Sequence, residues 1–88
     1  MSRDDYQTAV RYAEDLQGRR LSDVLEDAVR CDEYFVELAL ARERLRFARR
    51  DAPNPVREDD ILRTISEIDE LALERLGEVL SGRTEGSA

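Results

Sequence analysis

Residues 22–50 contain neither proline nor glycine, and apolar side chains recur through them at alternating spacings of three and four. Leu21, Val24, Ala28, Cys31, Phe35, Leu38 and Leu45 form one stripe, which Arg42 interrupts. Leu25, Val29, Val36, Leu40 and Phe47 form a second. This is the period of a helix. About 28 residues at 1.5 Å per residue would make it roughly 42 Å long. Ser22 is a natural N-cap, and Asp23 suits the positive end of the helix dipole. At ~100° per residue the two stripes lie about 140° apart, so a single packing partner cannot cover both.

The flanking segments are helical as well. Tyr6, Ala9, Val10, Ala13 and Leu16 make one narrow apolar stripe over 3–17, with Ser2 as cap, Asp5 in the capping-box position and Gly18 as stop. Asp51-Ala52-Pro53-Asn54-Pro55 is a turn, in which Asn54 precedes a proline at the first helical position. The third helix covers 55–81, with an apolar arc of Ile61, Leu62, Ile65, Ile68, Ala72, Leu73, Leu76, Val79 and Leu80 and with Gly82 just past its end. Residues 83–88 are small and polar and are expected to be a flexible tail.

No segment shows the strict alternation of a strand. The predicted fold is all-α: a single helical domain over 1–82, built as an elongated antiparallel helical hairpin with a short N-terminal helix. The first helix is half the length of the second and should cover Leu25 and Val29 without reaching Leu40 and Phe47. Leu40, Phe47, Leu73 and Leu80 are therefore the candidate interface. The simplest occupant is a second copy of the chain, giving a homodimer that closes into a helical bundle.

Composition excludes most chemistry. The 88 residues include no histidine and no lysine, one cysteine (Cys31) and 14 arginines. Imidazole acid–base work, His-containing metal sites, Lys-based covalent catalysis and intrachain disulfides are absent together. Cys31 lies beside Asp32 and Glu33, which do not activate a thiol. Tyr6, Tyr12 and Tyr34 have no companion base, and Glu58, Asp59 and Asp60 read as helix-start electrostatics. No catalytic, metal-binding or cofactor-binding residue is assigned, and no cofactor is expected.

The net charge of −7 argues against a nucleic-acid partner or a polybasic membrane anchor. No stretch reaches the ~18 apolar residues of a membrane span. Residues 1–5 are acidic, without the apolar run of a signal peptide, so the expected location is cytoplasmic. The charge is uneven. Residues 42–50 hold Arg42, Arg44, Arg46, Arg49 and Arg50 against Glu43 alone, and both flanks are acidic. Cations are favoured at a helix C-terminus, and the turn brings Glu58, Asp59 and Asp60 close to this block.

Asp69 is the carboxylate out of place. It lies inside the apolar arc of the third helix, where a carboxylate needs a partner. An arginine of the second helix or of another subunit would supply one. Arg42 is its mirror, a cation on an apolar stripe, and the two are candidate polar specificity residues, since polar groups in helical seams set register and oligomer state.

The stretch Gln17-Gly18-Arg19-Arg20-Leu21-Ser22-Asp23-Val24-Leu25-Glu26-Asp27-Ala28-Val29-Arg30 resembles the turn and second helix of ribbon–helix–helix antitoxins. The resemblance implies a dimeric regulator that neutralises a partner protein with a helical segment. The family's DNA-reading strand has no counterpart in residues 1–5. The reading from the residues themselves is a non-enzymatic protein–protein interaction module, a small adaptor, regulator or assembly factor, acting through apolar helix faces on a second protein as well as on its own copy.

Overall fold

The computed structural model describes residues 3–86, with side chains through residue 82. It contains four α-helices and, among the described residues, no strand: α1 (Arg3–Gln17), α2 (Asp23–Cys31), α3 (Glu33–Arg50) and α4 (Pro55–Gly86). The Ser2 cap lies outside the described residues.

Glycine ends α1 by adopting a conformation other residues avoid. Gly18 has φ 70°, the left-handed region. The Arg19 N–H bonds to the Glu14 carbonyl at 3.3 Å and the Gly18 N–H to that of Asp15 at 3.3 Å, the pairing of a Schellman motif. The Glu14 carboxylate accepts from the Leu21 N–H at 3.0 Å, which tethers the following turn. Ser22 then caps α2 by accepting from the Leu25 N–H.

The long second helix expected over 22–50 is two helices. Asp32 is extended (φ −90°, ψ 96°) and serves both. Its N–H bonds to the Val29 carbonyl at 3.2 Å, and its Oδ1 accepts from the Phe35 N–H at 2.8 Å. The physical reason is the pair of stripes. One straight rod cannot bury both, whereas a break with its own cap lets Val29, Phe35 and Val36 all reach zero exposure.

The core draws on every helix. Ala9, Val10, Tyr12 and Ala13 of α1 meet Val29 of α2, Phe35, Val36 and Ala39 of α3, and Ala72 and Leu76 of α4. The Tyr12 and Phe35 rings stack at 5.6 Å, 21° from parallel. The alanines Ala9, Ala13 and Ala72 are fully buried, so the backbones can approach closely. This arrangement also changes the expected reach of the first helix. With the chain redirected at Asp32, α1 packs along α3 as well as α2, and Leu40 packs against the core.

Asn54 caps α4 through the Arg57 N–H at 2.9 Å. Three ion pairs then mark its course: Glu58 with Arg49, Asp69 with Arg42, and Arg75 with Asp32. As α4 advances, its partners recede along α3 to the α2–α3 junction. At 32 residues, α4 is about 48 Å long, which sets the long axis of a 51 × 24 × 21 Å molecule. Residues 83–86, expected as tail, continue the helix, and Gly82 lies inside it. Residues 87–88 fall outside the described part.

Candidate functional site

Two polar clusters and one groove lie on this frame. The first cluster joins three helices. The Tyr12 hydroxyl donates to Asp69 Oδ1, and Arg42 Nε donates to the same oxygen at 2.9 Å. The Arg42 guanidinium also lies over the Tyr12 ring, 4.8 Å from its centroid. Both sequence-derived polar residues, Arg42 and Asp69, are thus paired within one chain, with Tyr12 as third member. Burial and then the bond to Asp69 push the Tyr12 hydroxyl far above the usual tyrosine range. A phenol that holds its proton so firmly suits neither a base nor a nucleophile. The cluster locks α1 onto α3 and α4.

The second cluster centres on Asp32. Its side chain is 10% exposed, and Arg75 forks onto it with Nη2–Oδ2 at 2.7 Å and Nε–Oδ2 at 3.0 Å. Arg75 also reaches Glu78 at 3.2 Å and lies over the Tyr34 ring at 5.6 Å. The Asp32 and Glu78 carboxylates push the guanidinium further into its charged form. In the sequence, Asp32 stands out only as a neighbour of Cys31. The available signal was an Asp three residues before Phe35, the spacing of a helix cap. A recess of ≈410 Å³ beside this cluster is lined by Cys31, Val79 and Gly82 among others, and Cys31 is exposed.

The four candidate interface residues do not share one environment. Leu40 and Leu80 are half-buried against the core. Phe47 and Leu73 remain 55% and 50% exposed. Leu73 shares an exposed flank of α4 with Leu62, Ser66 and Gly77, and Asp69 and Glu70 border it one turn before Leu73. The eleven-residue step from Leu62 to Leu73 is three helical turns. Phe47 lies elsewhere, in a groove of ≈320 Å³ between α3 and α4 lined by Glu43, Arg46, Arg49, Arg50 and Ile65. Arg50 lies over the Phe47 ring at 5.5 Å. Arg46 reaches Glu43 at 3.6 Å, and Arg49 reaches Glu58 at 3.3 Å.

Among the described residues no three Cys, Asp or Glu side chains are grouped so as to hold a metal ion, and no helix is long and apolar enough to cross a membrane. The segment resembling ribbon–helix–helix antitoxins forms the end of α1, the turn and α2, and no strand accompanies it among the described residues. The chain matches no family model, no curated protein and no solved structure.

Proposed function

We propose that the chain is a non-enzymatic protein–protein interaction module, a small adaptor, regulator or assembly factor that works through helix faces its own fold leaves uncovered. The observation that carries this reading is the exposure of Phe47, Leu62 and Leu73 outside a core that is already closed. Two ion pairs, by contrast, join helices: Arg42 with Asp69, and Arg75 with Asp32.

Self-association belongs to this reading. The elongated helical hairpin pairs with a second copy along the Leu62–Leu73 flank of α4 and closes a bundle. Each large apolar side chain contributes roughly 1.5–3 kcal/mol when fully buried, which works against a large entropic cost of association. Two-fold symmetry is the commonest solution. Sedimentation equilibrium at micromolar protein should give a dimer, and Leu73→Asp should give a folded monomer. Leu40→Asp should unfold the chain, because Leu40 packs on the core. A wild-type monomer at high concentration removes self-association from the proposal. A measured turnover that disappears in Asp69→Ala with the fold intact overturns the non-enzymatic reading itself.

A further inference from the structure

We infer that the Phe47 groove is a docking site for an acidic segment of another protein, one in which carboxylates flank a single apolar or aromatic side chain. The inference rests on the interaction-module reading and names the partner's chemistry.

The groove has an apolar floor and a cationic rim. Phe47 and Ile65 supply the floor, and Arg46, Arg49 and Arg50 stand round it with Glu43 as the only acid. Its ≈320 Å³ lies at the small end of the ~300–1,000 Å³ range of ligand pockets, enough for one or two side chains. No α1 residue lines it.

The charge of this rim is only partly neutralised from within. Arg50 has the face of Phe47 as its partner and no carboxylate, and Arg44, one turn away, has no partner among the described residues. The Arg46–Glu43 and Arg49–Glu58 pairs are half-exposed, and pairs of that kind hold weakly, so their arginines can turn to an incoming carboxylate at little cost. A guanidinium stacked on an aromatic ring is also already oriented to fork onto a carboxylate. Arginine and aromatic residues are the types that dominate binding energy at interfaces.

Two other occupants fit less well. A second copy seated symmetrically here would set Arg46, Arg49 and Arg50 against their own images, a like-charge contact. A nucleic acid carries one charge per ~1.7 Å of duplex, so it would extend past the three arginines toward acids of the adjoining turn such as Asp51, which directly follows Arg50. A short acidic segment ends before it meets them.

The test is selection of a randomised peptide-display library on the full chain, counter-selected on the Phe47→Ala/Arg50→Gln double variant. Both positions are exposed, so circular dichroism of the variant should match the wild type. Enriched peptides should carry Asp or Glu on both sides of one Leu, Phe or Trp. In fluorescence anisotropy an enriched peptide should lose ~10-fold or more in affinity when its acids become Gln, as expected for losing charge-assisted hydrogen bonds. It should lose as much on Arg46→Gln/Arg50→Gln and nothing on Leu73→Asp. No enrichment over the variant, or enriched peptides without acids, overturns the inference. So does a duplex oligonucleotide that binds the wild type and not the arginine variant. Sedimentation of the same proteins separates the two levels: a dimer without peptide binding leaves the module reading standing and removes this site, and a monomer without peptide binding removes both.

Discussion

Tyr12 keeps its proton because everything around it penalises a phenolate. The ring is 5% exposed, and its hydroxyl faces the Asp69 carboxylate, against which the nearby Arg42 charge is the weaker influence. The folded-state pKa is therefore raised above the unfolded value of about 10. Below about pH 10 both states hold the proton and the contribution of Tyr12 to stability is complete. Above it the unfolded chain releases the proton first, and stability falls with a slope of at most about 1.4 kcal/mol per pH unit. Urea melts at pH 9, 10 and 11 should show wild type losing more stability than Tyr12→Phe over this interval. Equal losses in the two proteins would contradict the assignment. Asp69 and Arg42 were legible in the sequence because each breaks an apolar pattern. Tyr12 was not, because only its hydroxyl tip is polar and its ring behaves as core, stacked on Phe35.

At the scale of the element, the decisive feature is a residue between two helices. Asp32 caps α3 and binds Arg75 with the same carboxylate. Asp32→Asn keeps a capping oxygen and loses the ion pair, whereas Asp32→Ala loses both. The cap alone is worth ~1 kcal/mol. Chemical denaturation should therefore rank wild type above Asn and Asn above Ala, with the last step about 1 kcal/mol. If Ala and Asn are equally stable, the cap contributes nothing and the break has another cause. The sequence offered an uninterrupted helical period through this point, and the period was real: both stripes are used. Aspartate is a tolerated helix residue as well as a cap, and periodicity alone does not distinguish the two roles. The discrepancy visible beforehand was geometric, two stripes about 140° apart on one rod. The boundaries at Gly18 and Pro55 were legible because glycine and proline act through the backbone itself.

At the scale of the molecule, burial thins out toward the turn, where Ile61 is the first buried residue of α4. From 40 to 60, no residue is buried. The end of α3, the turn and the start of α4 are held by helix hydrogen bonds, the Asn54 cap and the half-exposed Arg49–Glu58 pair. Opening this end exposes little apolar surface, so its free energy should be well below that of global unfolding. Native-state hydrogen exchange should find amides of 44–58 exchanging faster than those of 9–13, 35–39 and 68–76, and through openings insensitive to denaturant. Uniform protection along α3 would refute this. A molecule built this way has a thermally restless tip on a quiet stem, and whatever grips the tip slows the fastest exchange clock in the chain while raising the melting point of the stem only by what the binding itself adds.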